Sequence, residues 1–234
     1  MHRIKAVLFD LDGTLIETDN RWAEILAHRL APLRCLLPGL DTNTLARKMV
    51  MSIEMPGNYL IALIERLGLS PLIAGLADRV RRSKGLATRE RIPLVEGTQR
   101  LIEALAPHYK LAVVTTRARP EAQAFVAATG LGAHFSAVIS RQDVWWMKPH
   151  PAPVIEAARR LGVAPEHCLL VGDTVMDIRA AKASGAMAVG VLSGFGDRRE
   201  LECAGADLIL ERADKLLPYL LPNESGDQQE DRRS

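Results

Sequence analysis

The sequence is short of cysteine, of net charge and of long apolar runs, and each shortage removes a class of protein. Cys35, Cys168 and Cys203 stand far apart without a Cys-x-x-Cys pair. That spacing disfavours a disulfide framework and a structural zinc site, and it fits a reducing compartment. The formal net charge is only +2 and the basic residues are scattered, so the electrostatic footprint of a nucleic-acid binder is missing. Pairs such as Arg47-Lys48 and Arg81-Arg82 read as solvated helix faces. No apolar stretch reaches the roughly 18 residues of a membrane span. The N-terminus runs into a strand-like segment without the apolar region and cleavage site of a leader. The expectation is a cytoplasmic protein with no nucleic acid and no membrane among its partners. Oligomeric state is left open.

What is present is ordinary globular composition, 48% hydrophobic and 25% charged over 234 residues. That is enough for a core domain with a smaller companion. Ile4 to Phe9 is a β-prone apolar run that ends in Asp10-Leu11-Asp12-Gly13-Thr14, the pattern of a buried strand delivering polar residues at its C-terminal end. Residues 18–91 then show helix-like spacing, as in Trp22, Ile25, Leu26, Leu30 and later Leu60, Leu63, Ile64, Leu67, and read as an inserted all-helical domain. From Pro93 on, strand and helix patterns alternate. Strands are expected near 111–114, 137–139, 168–171, 188–192 and 208–210, with helices near 97–106, 120–129, 151–161, 175–184 and 197–204. Such alternation predicts an α/β fold around a parallel sheet. The core is expected to span 1–17 and 92–221, and the polar segment 222–234 reads as a frayed tail.

Four places carry candidate chemistry. Asp10 and Asp12 lie two apart, so in extended backbone both point to one side; one acid can then act as nucleophile while the other moves protons. A loop turn explains a lone Asp-x-Asp equally well, but Asp-x-Asp-Gly-Thr arises by chance roughly once in a few hundred chains of this length. Val113-Val114-Thr115-Thr116-Arg117 is a strand ending on hydroxyls that can donate to a phosphate oxygen. Lys148-Pro149 offers one positive charge on a restricted backbone, although an exposed loop lysine is the ordinary reading. Leu169-Leu170-Val171-Gly172-Asp173 is a second strand ending in an acid, with Asp177 one turn later. Carboxylates so placed suit a hard cation such as Mg²⁺, while helix capping is the competing explanation for Asp173.

Taken in order, Asp10-x-Asp12-Gly13-Thr14, Thr115, Lys148-Pro149 and Gly172-Asp173-x-x-x-Asp177 resemble the four motifs of the haloacid dehalogenase superfamily of hydrolases. Lys148-Pro149-His150-Pro151-Ala152-Pro153 is similar to its phosphoglycolate phosphatase branch, although Thr116 stands where that branch often has Asn. The resemblance implies a Rossmann-like core with helices on both faces and a helical cap at 18–91. It also implies a Mg²⁺-dependent phosphatase for a small phosphorylated metabolite. Asp10 would be the nucleophile, Asp12 the proton carrier, and Thr115 and Lys148 would hold the phosphoryl oxygens. Asp10, the Asp12 carbonyl, Asp173 and Asp177 would serve the metal, and Thr116, Gly13 and Arg47 are substrate-binding candidates.

Alternatives remain within the resemblance, namely a sugar-phosphate mutase, a pyrophosphatase or a nucleotidase. A receiver-type signalling module shares an acceptor Asp, a Thr and a Lys, but there the acidic pair precedes the acceptor. A dinucleotide-binding protein is prompted by Gly194-Phe195-Gly196, yet Arg199 occupies the place of the third glycine.

Overall fold

In the computed structural model the described residues are 4–17, 28 and 93–221. The chain divides into two compact units, Met1–Glu17 with Ile92–Ser234, and Thr18–Arg91. Apart from residue 28, the inserted segment read as a helical cap, Arg47 within it, and the polar segment 222–234 lie outside the described residues.

Six strands form one all-parallel sheet: β1 Ala6–Phe9, β2 Lys110–Val114, β3 Phe135–Ile139, β4 Cys168–Gly172, β5 Met187–Val191 and β6 Leu208–Leu210. Their order is β3-β2-β1-β4-β5-β6. Alternate side chains of each strand face opposite ways, and both sets are apolar. Val7, Phe9, Leu111, Val113, Leu169 and Val171 pack on one face against helices α1 Thr98–Leu105 and α2 Arg119–Thr129. The short C-terminal helix α6 Leu217–Leu220 covers the same face. Ala6, Leu8, Ala112, Val114 and Leu170 meet α3 Ala152–Leu161, α4 Val175–Ser184 and α5 Arg198–Ala204 on the other face. Burial on both faces explains why the strands read as unbroken apolar runs instead of alternating ones.

The predicted strands and helices fall on the observed ones within a few residues at each end. Three 3₁₀ turns, Leu131–His134, Pro165–His167 and Ala213–Leu216, were not anticipated, nor was α6. Each is short and has too few positions to show a period. Among the described residues no helix is long and apolar enough to cross a membrane.

The chain winds from β1 out to β3 and then returns to β4 on the other side of β1. The order therefore reverses between β1 and β4, and the crevice beyond their carboxyl ends is where such sheets bind ligands. Phe9 pairs with Val113 on one side and Val171 on the other, so the residues following all three strands meet at one level.

Candidate active site

Asp10 follows β1 directly, and its N–H donates to the Val171 carbonyl of β4 at 2.9 Å. Its carboxylate is buried and accepts from Lys148 Nζ at 2.6 Å. Lys148 comes from the loop between β3 and α3, behind the exposed Trp145 and Trp146 and the buried Met147. Its ammonium also donates to Asp177 Oδ1 at 2.5 Å and to the Val114 carbonyl at 3.1 Å. All three hydrogens of the ammonium are thus engaged. A lysine that reads in sequence as an exposed loop residue is buried here because two acids and a carbonyl replace its water.

Asp173 sits between β4 and α4 and is fully buried. Its Oδ2 accepts from the Phe195 N–H at 2.7 Å, whereas its Oδ1 has no partner among the described residues. It does not cap α4. That position belongs to Thr174, whose side chain accepts from the Asp177 N–H while the Asp177 Oδ2 accepts from the Thr174 N–H and hydroxyl. Asp177 therefore closes a capping box and still presents Oδ1 to Lys148.

Carboxylate oxygens of Asp10, Asp173 and Asp177 all lie within 4.8 Å of one another. Among the described residues Lys148 is the cation joined to this cluster, which leaves two formal negative charges in excess. Burial raises the Asp10 carboxyl from 3.8 to about 7, with Asp177 and Asp12 adding to the effect and Lys148 opposing it. Burial likewise pushes Asp173 well above the usual carboxylate range, with the charges of Asp177 and Asp10 adding to it. Burial also works against the Lys148 ammonium, but Asp10 and Asp177 outweigh it and raise its affinity for the proton. A divalent cation fits this set. The donors are hard oxygens, the excess charge matches, and the orphaned Asp173 Oδ1 is a ready ligand atom.

Asp12 stands apart from that cluster. β1 ends at Phe9, so the extended backbone that would aim Asp10 and Asp12 to one side does not persist. The Asp12 carboxylate is instead held by Arg117, Nε donating to Oδ2 at 2.7 Å and Nη2 to Oδ1 at 2.6 Å. Thr115 is buried at the end of β2, and its Oγ1 accepts the Arg117 N–H at 3.1 Å. Thr116 is half-buried beside it.

Gly13 has φ 77°, and a Cβ there would overlap the Asp173 carboxylate and come within 2.8 Å of the Gly194 Cα. Its carbonyl accepts from Ser193 Oγ at 2.6 Å. The loop after β1 and the loop after β5 therefore touch through glycines. The dinucleotide reading of Gly194-Phe195-Gly196, already disfavoured by Arg199 in place of the third glycine, gains no support here. Phe195 N–H binds the Asp173 side chain, and Gly196 N–H donates to the Asp173 carbonyl at 3.0 Å, so the segment is packed on an acid instead of cradling a pyrophosphate. Sequence reasoning missed both Arg117 and this loop. Arg117 carries no motif of its own, and a glycine's close approach is invisible until the second loop is placed.

A doubly wound parallel sheet with three acids and a lysine converging at its switch point defines the class, an α/β enzyme with a carboxylate-centred site. The chain belongs to the haloacid dehalogenase-like hydrolase family, whose model matches residues 7–191. Among curated relatives, the phosphoglycolate phosphatase of Escherichia coli strain K12, a phosphoric monoester hydrolase, is 35% identical over 242 residues. That match covers 93% of this chain and 92% of the relative. Of solved structures, a hydrolase from Pseudomonas syringae is 29% identical with a TM-score of 0.63, covering 92% of this chain and 97% of that one. A HAD family hydrolase from Deinococcus radiodurans, solved with bound phosphate and sodium, is 24% identical with a TM-score of 0.67 and shares the fold, covering 93% and 95%.

Proposed function

We propose that this protein is a Mg²⁺-dependent phosphatase that hydrolyses a small phosphate monoester through an aspartyl-phosphate on Asp10. The observation that carries this reading is the division of the acids. Asp10, Asp173 and Asp177 gather around Lys148, while Asp12 is held outside that cluster by Arg117.

Asp10 attacks phosphorus in line, and the ester P–O bond breaks with its electron pair passing to the alcohol oxygen. Asp12 gives that oxygen its proton. Water then attacks the aspartyl-phosphate, yielding its proton to Asp12 and releasing orthophosphate with Asp10 restored. Lys148, already 2.6 Å from Asp10, neutralises the phosphoryl oxygens. Thr115 accepts from the Arg117 N–H, which leaves its hydroxyl hydrogen for another phosphoryl oxygen. Mg²⁺, held by Asp10, Asp173 and the Asp12 carbonyl with Asp177 in support, would supply charge for the in-line transfer. The relative from Escherichia coli makes phosphoglycolate the first substrate to try, and segment 18–91, read as a helical cap with Arg47 as its candidate substrate contact, is where selectivity is proposed to reside.

The test is turnover of p-nitrophenyl phosphate with Mg²⁺, with chelator, and in Asp10→Asn. Activity is expected only in the first case, and survival of either the chelator or the substitution rejects the mechanism. A panel of phosphoglycolate, pyrophosphate, sugar phosphates and nucleoside monophosphates, read by kcat/KM with orthophosphate release, then fixes the substrate and separates hydrolysis from mutase chemistry. A preference other than phosphoglycolate overturns the branch assignment alone.

A further inference from the structure

Most ion pairs near a protein surface are single-point and loosely held. The one between Arg117 and Asp12 is different in kind. Both carboxylate oxygens are engaged side-on by two guanidinium nitrogens, the two side chains are 22% and 34% exposed, and the pair joins residues 105 apart in the chain. A fork of this type fixes direction as well as distance.

The arginine that holds Asp12 is itself held. Its N–H donates to Thr115 Oγ1 at 3.1 Å, and its carbonyl accepts the Arg141 N–H at 3.1 Å. Arg117 is thereby tied to the loops that follow β2 and β3 while its side chain reaches the loop that follows β1. Asp12 belongs to that third loop, past the end of its strand, and no other described hydrogen bond orients its carboxylate. The fork closes both of its side-chain torsions.

We propose that Arg117 is the positioning residue for the proton transfers of Asp12, an inference that rests on the phosphatase reading above. Asp12 hands its proton to the ester oxygen as the P–O bond breaks, and becomes a carboxylate; the fork receives that carboxylate in a fixed orientation, from which it takes the proton of the attacking water. Arg117 touches neither phosphorus nor the leaving oxygen and acts through Asp12 alone. Positioned proton transfer is where small displacements cost most, because an oxygen misplaced by about 1 Å loses roughly a hundredfold in rate.

The experiment compares kcat/KM, which reports the steps through formation of the aspartyl-phosphate, for p-nitrophenyl phosphate and for the alkyl phosphate that the wild-type enzyme turns over fastest. An aryl leaving group departs without a proton, whereas an alkoxide needs one. Arg117→Ala is expected to lower the alkyl value by about 100-fold and the aryl value far less. Asp12→Asn should show the same bias, and the double variant Arg117→Ala with Asp12→Asn should fall no further than Asp12→Asn alone. Equal losses on both esters, or losses that multiply in the double variant, overturn the inference. Retained aryl turnover doubles as proof of folding. If Arg117→Ala is inactive on both because it does not fold, Arg117→Lys carries the same comparison, since an ammonium cannot grip both oxygens. A wild-type enzyme that turns over neither ester with Mg²⁺ fails the phosphatase reading instead, so the two failures are distinguishable.

Discussion

Lys148 shows how much one residue can carry. Its ammonium is the charge that lets Asp10 and Asp177 lie buried side by side. Removing one partner of a buried ion pair leaves the other charges uncompensated, at a cost of about 3–5 kcal/mol. Lys148→Met, which keeps the stem and removes the charge, should therefore lower the urea midpoint clearly and cut kcat by about 10²-fold or more. Added Mg²⁺ should recover part of the stability, because the cation answers the same excess of negative charge. A variant as stable and as active as the wild type would show that the ammonium supports neither. Lys148 was legible as a candidate because it precedes Pro149 in a motif, but its burial was not, since the groups that replace its hydration come from the end of β1, from β2 and from α4.

At the scale of elements, the site depends on how strand ends turn into helices and loops. Thr174 begins α4 and ties down Asp177 through the capping box. Thr174→Ala should cost about 1 kcal/mol, seen as a drop in Tm of roughly 2–4 °C, and Thr174→Ser should restore it. An unchanged Tm in the alanine variant would remove the cap from the account. The Thr-x-x-Asp spacing of Thr174 and Asp177 is present in the sequence, but the cap read there is Asp173, which the structure instead buries against the Phe195 N–H.

Gly13 gives a sharper case, because backbone strain and collision can be separated. Gly13 and Gly130 both have positive φ, but a Cβ at Gly130 meets nothing within 4 Å while one at Gly13 overlaps Asp173. Gly130→Ala should cost about 1 kcal/mol from backbone conformation alone. Gly13→Ala should cost more and lose most phosphatase activity. Equal effects of the two substitutions, measured by chemical denaturation and turnover, would dispose of the close-approach explanation.

For the whole molecule the consequence is electrostatic. In metal-free protein Asp10 titrates at about 7 against 3.8 for the ordinary carboxyl. The folded state then holds its proton more tightly than the unfolded state, so this group's contribution to folding is full below about pH 4 and is lost as pH rises through about 7. A divalent cation binds the deprotonated carboxylates and works in the opposite sense. The rise in Tm produced by millimolar Mg²⁺ should accordingly be larger at pH 8 than at pH 5, and Asp10→Asn should flatten the difference. An equal rise at both values would mean that the cation does not bind at these acids.

The sequence by itself determined the parallel α/β core, strand by strand, because apolar runs buried on both faces and amphipathic helices between them depend on local residue patterns. It also determined that Asp10, Thr115 and Asp173 directly follow β1, β2 and β4, because those positions are fixed by neighbours a few residues away. Only the tertiary structure decided how they divide. Asp12 went to Arg117 rather than to the other acids, Asp173 kept one oxygen unpartnered, and Gly194 lay against Gly13. These are contacts between loops far apart in the chain, and their outcome depends on strand order and on the reversal between β1 and β4, which no local pattern encodes.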